Sequence, residues 1–182
     1  MGMFSDDSGA TFSPCCRYRY RLWRTWDESG PVANFIMLNP STADEIENDP
    51  TVARCLRRAK QWKCGGLVVT NLFAFRSTSP DLLSSEQDPI GLDNDHHIVH
   101  AAEGSELVVA AWGVWGRVKN RGQVVAKMLQ ERQIKLHCLG LTAAGLPTTF
   151  RVYDLRHTHA SYMLNSKKMT IKEVSERLGH SS

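Results

Sequence analysis

The chain has 182 residues, of which 42% are hydrophobic, and a formal net charge of +3. This length is enough to bury one ordinary core plus a small appendage, and it leaves hardly any room for two full domains. The sequence contains no run of about 18 apolar residues and begins without the basic-then-apolar order of a signal peptide. We therefore expect a cytoplasmic protein that has no membrane partner.

The excess of positive charge lies at the C-terminus. Residues 148–182 hold six basic and three acidic side chains, which accounts for the whole excess. Because residues 1–147 are neutral, any binding of DNA by this body must come from a shaped site and not from a general field. The five cysteines form no Cys-x-x-Cys pair and fit a reducing compartment, so we expect them to be packing residues.

The N-terminal part of the chain predicts a hairpin after a flexible segment, residues 1–16. Residues 17–24 alternate basic with aromatic or apolar side chains, which is typical of a charged edge strand with one solvent-exposed face. A turn at residues 27–31 and a buried strand at residues 32–38 follow. Together, the two strands predict the hairpin.

From residue 32 onward the chain repeats one plan: a short apolar strand, a polar residue at its carboxyl end, and a helix. Strands are predicted at residues 32–38, 67–70, 107–111 and 134–139, with helices at 50–62, after 79, at 93–104 and at 121–133. This alternation indicates an α/β fold with a mainly parallel central sheet flanked by helices. Asp49 is the predicted N-cap of the first helix.

Polar residues at the carboxyl ends of these strands are the candidate site, because ligands bind there in open α/β sheets. Asparagine side chains can read the edge of a base, tryptophan can stack, arginine can hold an anion, and an aspartate can activate water. The alternative that Asn39 and Asn71 only satisfy loop backbone groups remains open. The candidates are Asn39, Ser41, Thr42, Asp44, Asn71, Arg76, Trp112 and Thr142.

Three histidines lie together on the third predicted helix. His96 and His100 have the i, i+4 spacing that can bind a metal ion, but no third ligand is spaced to join them. A solvated helix face is the simpler interpretation, so we predict no metal site and no cofactor.

Five ordered motifs resemble a bacterial and phage family called domain of unknown function family 1643. The motifs are "MLNPSTADEIENDPTVARC", "GGLVVTNLFAFRSTSP", "DPIGLDND", "VVAAWGVWGR" and "LGLTAAGLP". The resemblance covers residues 17–147, which we take as the α/β domain. After the last of these motifs, family members usually have a basic, histidine-containing segment. In this chain a different sequence begins at residue 148. The family name carries no function.

The strand-end pattern is also similar to that of the uracil-DNA glycosylase superfamily. In that superfamily a flipped base is gripped at the strand ends, and a polar residue positions the attacking water. The similarity implies that Asn39 or Asp44 orients water, that Asn71 reads the base edge, and that Lys119 or Arg121 contacts phosphate. It implies a nucleotide- or DNA-base-directed binding protein, or a glycosylase-like hydrolase.

The C-terminal stretch "YDLRHTHASYMLNSKKMTIKEVSERLGH" resembles the catalytic segment of tyrosine recombinases, the phage integrases. Arg156 corresponds to the second arginine of that family and His180 to its Leu-Gly-His histidine, while Tyr153 stands where the family has histidine. The family's first arginine, lysine and nucleophilic tyrosine have no counterpart. Residues 148–182 therefore predict a short helical tail, derived from a mobile element, without recombinase activity. The alternative function is DNA binding linked to recombination through this tail.

Overall fold

Six strands form a single sheet in the computed structural model, which describes residues 7–143 and 145–148. Their spatial order is β1-β2-β4-β3-β5-β6. The α/β class with flanking helices is confirmed. The strands are β1 (Asp7–Phe12), β2 (Arg19–Thr25), β3 (Val32–Met37), β4 (Gly66–Asn71), β5 (Leu107–Ala110) and β6 (Leu136–Cys138).

The helices cover both faces of this sheet. Helix α1 buries Val52 and Cys55 in a core cluster on one face, and α3 and α4 bury residues such as Ile98 and Val125 in a second cluster on the other. A 3₁₀ segment, Val114–Asn120, connects β5 to α4. The helices are α1 (Pro50–Gln61), α2 (Leu82–Ser85), α3 (Asn94–Glu103) and α4 (Arg121–Glu131).

The strand directions correct two predictions. Strand β3 pairs in parallel with both β4 and β5, and β5 pairs in parallel with β6, but β2 is antiparallel to both β1 and β4. The sheet is therefore mixed rather than mainly parallel. The predicted hairpin of β2 with β3 was wrong, because both edges of β3 are already occupied by β4 and β5. The N-terminal hairpin is formed by β1 and β2 instead.

A β-bulge in β2 changes which of its side chains are buried. Thr11 pairs with Arg21 but Phe12 pairs with Arg19, so Tyr20 is the extra residue between two pairs. Such a bulge shifts the alternation of side chains by one position. Arg19 consequently lies on the α1 face, where it donates a hydrogen bond to the carbonyl of Ala43.

The prediction that β2 is an edge strand with one solvent-exposed face was also wrong, because β1 and β4 pair with its two edges and other parts of the protein pack on its faces. Arg19 is only 2% exposed and Arg24 only 6%. Arg24 donates to the carbonyl of Asp44 at 2.7 Å and to Asn48 Oδ1 at 3.1 Å. On the other face, Tyr20 stacks on His97 of α3. Both faces of β2 are thus packed.

Helix α1 begins at the predicted cap. Asp49 Oδ1 accepts hydrogen bonds from the backbone N–H groups of Thr51 and Val52, both at 2.8 Å, and Pro50 occupies the first turn. Because asparagine caps a helix as well as aspartate does, Asp49→Asn should leave the free energy of unfolding nearly unchanged, whereas Asp49→Ala should lower it by about 1 kcal/mol. Urea unfolding of both variants measures this difference, and equal losses would contradict the capping role.

Two further predictions were that the protein has no membrane partner and that its C-terminal tail is helical. No helix within residues 7–143 and 145–148 is long and apolar enough to cross a bilayer. The predicted tail helices, with Arg156 and His180, lie outside the described residues.

Candidate functional site

A cavity of about 300 Å³ lies at the carboxyl ends of β3 and β4, between the sheet and the N-terminal turns of α1. Strand ends supply its floor, and the first residues of α1 supply one wall. This is the position at which ligands bind in open α/β sheets. The lining residues are Arg19, Met37, Leu38, Asn39, Ser41, Asp49, Thr51, Val52, Arg54, Cys55, Val69, Asn71 and Ala111.

Three of the residues predicted from the sequence meet in this cavity: Asn39, Ser41 and Asn71. The two asparagines are held differently. Asn39 Nδ2 donates to the carbonyl of Ser77 at 2.7 Å and to that of Pro40 at 3.2 Å, which joins the β3 loop to the loop after β4. Asn71 is 2% exposed, and its Oδ1 has no hydrogen-bond partner among the described residues.

Arg19 is a buried cavity residue that sequence reasoning missed. Its Nη1 donates to the carbonyl of Ala43 at 2.7 Å, while its buried Nε has no partner within the described part of the chain. Burial lowers the pKa of Arg19 to about 10, and the negative charge of Asp49 opposes this decrease. The guanidinium is therefore still a cation at neutral pH.

Asp49 was predicted as a helix cap rather than a catalyst, and it is also a cavity residue. Its Oδ1 accepts hydrogen bonds from the backbone N–H groups of Thr51 and Val52, and its carbonyl accepts one from the N–H of Ala53. The amide donors at this end of α1 are thereby satisfied. An anion in the cavity would have to be held by the arginine side chains and not by the helix terminus.

Three predicted site residues do not line this cavity: Thr42, Asp44 and Arg76. Thr42 is exposed. Asp44 Oδ1 accepts from the N–H groups of Ile46 and Glu47 at 2.9 and 2.7 Å, and these hydrogen bonds lower the pKa of Asp44. Arg76 lies over the ring of Phe12 and donates to a backbone carbonyl. Asp44 and Arg76 thus have structural partners away from the cavity.

The remaining predicted residues lie on the other side of the sheet or in distant loops. Lys119 Nζ donates to the carbonyl of Glu86, and Thr142 Oγ1 accepts from the N–H of Leu146. Arg121 is 3% exposed and forms an ion pair with Asp95. Trp112 lines a second cavity, of about 350 Å³, beside α4. The structure therefore separates Trp112 from Asn39 and Asn71.

The histidines of α3 are arranged as ring contacts. His96 stacks against His100 with ring centroids 6.1 Å apart, and His97 stacks on Tyr20 at 4.9 Å. Burial lowers the pKa of His97. In the part of the chain that the structure describes, no group of three or more His, Cys, Asp or Glu side chains could hold a metal ion.

Comparison with known proteins gives one match. The model of a family described as "Protein of unknown function (DUF1643)" matches residues 19–148, which include every residue that lines the first cavity. No curated protein matches the chain, and no solved structure does.

Proposed function

The chain belongs to the DUF1643 family, and because this membership assigns no activity, we propose from the site itself that the first cavity binds a nucleobase or a nucleotide. One observation carries the proposal. Polar side chains from three different segments converge on the same small cavity at the strand ends: the buried Arg19 and Asn71 and the half-buried Asn39.

The polar atoms of the cavity fit the edge of a base. Arg19 Nε is a donor and Asn71 Oδ1 an acceptor, and neither has a partner among the described residues. A base that binds against these two side chains would supply the hydrogen bonds that they lack. Base edges present acceptors beside donors, and an arginine together with an asparagine matches such a pattern.

The size and the apolar surface of the cavity favour the same class of ligand. Its volume of about 300 Å³ is at the lower end for small-molecule sites, which suits a base or a nucleotide better than a larger molecule. Met37, Val69 and Ala111 supply apolar contacts for the faces of a flat ring. Arg54 is exposed at the cavity and can pair with a phosphate.

A glycosylase-like hydrolysis is the second candidate, and one observation favours it. Asp49 brings a carboxylate into the cavity, and both of its capping hydrogen bonds use Oδ1, so the cap does not require Oδ2. A carboxylate oxygen beside a bound N-glycoside could orient a water molecule. We therefore assign the orientation of water to Asp49 and no longer to Asp44, because Asp44 does not line the cavity.

DNA binding through residues 148–182 stays a prediction from the sequence. The recombinase-like residues Arg156 and His180 are outside the described residues, and no comparison matches that segment to a recombinase.

Separate alanine substitutions at Asn71 and Asn39 test the proposed site. Asn71→Ala should weaken the binding of a base or nucleotide by about tenfold, with little change in melting temperature, because Asn71 Oδ1 bonds to no described residue. Asn39→Ala should also lower the free energy of unfolding by about 1 kcal/mol, because it removes two hydrogen bonds to loop carbonyls.

The measurement is isothermal titration with free bases, nucleosides and nucleotides, combined with thermal unfolding. Gln130→Ala is the control, since Gln130 carries an exposed amide side chain on α4 that does not line the cavity. If Asn71→Ala lowered the stability and left binding intact, the residue would be a structural group and the proposed site would be wrong.

A further inference from the structure

The orientation of the Asn39 side chain decides which of its polar atoms a ligand can use. Its Nδ2 donates to the carbonyls of Ser77 at 2.7 Å and Pro40 at 3.2 Å, and an amide nitrogen has only two hydrogens to donate. The opposite orientation would turn Oδ1 toward these two carbonyl oxygens. Asn39 is half-buried in the lining of the first cavity, so the polar atom that its side chain has left for a ligand is the acceptor Oδ1.

A second side chain of the same cavity is also an acceptor. Asp49 is half-buried in the lining, and the cap of α1 uses its Oδ1 alone, which accepts from the N–H groups of Thr51 and Val52. The helix therefore does not need Oδ2. A carboxylate oxygen can accept two hydrogen bonds, so Oδ2 can take a donor of the ligand and, in the hydrolysis candidate, a water molecule as well.

Positive charge acts on the same cavity through Arg19. Burial lowers the pKa of Arg19 to about 10, and the negative charge of Asp49 opposes this decrease, so the two charged groups influence each other across the cavity lining. A positive charge favours acceptor atoms of a ligand. The cavity therefore combines two side-chain acceptors, on Asn39 and Asp49, with a cation that favours an acceptor beside them.

Nucleobases differ in how well their edges match this set of groups. The amino group of cytosine or adenine has two hydrogens, which can satisfy two acceptors, and the ring nitrogen beside it is itself an acceptor. Uracil in a nucleoside has a single ring N–H group between two oxo groups. One of the two protein acceptors would then face an oxygen of the base, and a contact between two acceptors lowers affinity.

We propose that the first cavity selects a nucleobase with an amino group over its oxo counterpart, with Asn39 Oδ1 and Asp49 Oδ2 accepting the two amino hydrogens. The positive charge of Arg19 favours the acceptor nitrogen of the ring. The inference rests on the proposed function, because it names the class of base that the same cavity binds.

Isothermal titration of the full chain with two pairs of nucleosides tests this selectivity. Cytidine with uridine, and adenosine with inosine, differ by the exchange of an amino for an oxo group. In each pair that binds, the amino member should bind about tenfold more tightly. Asp49→Asn should remove this preference or reverse it, because the cap keeps the side-chain oxygen at the position of Oδ1 and an amide donor replaces Oδ2.

Glu47→Gln is the matched control, a carboxylate-to-amide exchange at an exposed residue of the same loop that does not line the cavity. It should leave the preference unchanged. Equal binding within the pairs, or a preference that Asp49→Asn leaves intact, would overturn this inference while the proposed binding of a base stands. If neither the four nucleosides nor their free bases bound, the proposed function itself would be wrong, and this inference with it.

Discussion

Arg19→Met is expected to weaken the binding of a base or nucleotide by about thirtyfold while leaving the protein as stable as the wild type or more stable. Hydrogen bonds to charged groups contribute about 2 kcal/mol, and the substitution removes the one cationic donor that is buried in the cavity lining of the described residues. Methionine keeps much of the side-chain volume, so the packing of β2 against α1 should persist.

The expected effect on stability follows from the cost of burying an arginine. Arg19 is 2% exposed, its Nε lacks a partner among the described residues, and burial lowers the pKa of its guanidinium to about 10. Replacing a poorly compensated buried charge by an apolar side chain is often neutral or stabilising. The lost hydrogen bond to the carbonyl of Ala43 acts in the opposite direction and limits the gain.

Titration calorimetry and urea unfolding of the same preparations measure both parts of this result. Arg21→Met is the control, because Arg21 is on the same strand but packs over the ring of Trp23, outside the cavity. If Arg19→Met strongly destabilised the protein and left binding unchanged, Arg19 would have a structural role alone. The proposal that its guanidinium binds the ligand would then be wrong.

Most elements of the fold could be predicted from local patterns. The cap at Asp49 and the apolar run of β3 depend on neighbouring residues, so they are visible in the sequence. The partner of β2 is not a local property. It depends on β3 being occupied on both edges by β4 and β5, which only the tertiary arrangement decides.

The candidate site was predictable in part for a similar reason. Asn39 follows β3 and Asn71 ends β4, and because these two strands are adjacent and parallel, their ends bring both residues to one cavity. Trp112 follows β5, but consecutive residues of a strand point to opposite faces. Ala111 therefore lines the first cavity and Trp112 the second. Arg19 was missed because one bulge at Tyr20 reverses the alternation that predicted an exposed side chain.

Arg121→Met is expected to lower the free energy of unfolding by about 3 kcal/mol, although the sequence suggested Arg121 as a phosphate contact. Its Nε donates to the carbonyl of Leu72 at 2.9 Å, and its terminal nitrogens pair with Asp95. Removing one partner of a buried ion pair costs about 3–5 kcal/mol, and because the Asp95 side chain is 49% exposed, the lower end applies.

The position of Arg121 explains why a loss of this size is expected. Asn94 Nδ2 donates to the carbonyls of Asn71 and Leu72 at 2.9 and 3.0 Å, so Arg121 and Asn94 together fix the carboxyl end of β4. Asp95→Asn keeps an acceptor for the arginine and should cost less than half as much. Urea unfolding of both variants gives the comparison. Full stability of Arg121→Met, with weaker binding of phosphate-bearing ligands, would instead return Arg121 to the binding role that the sequence suggested.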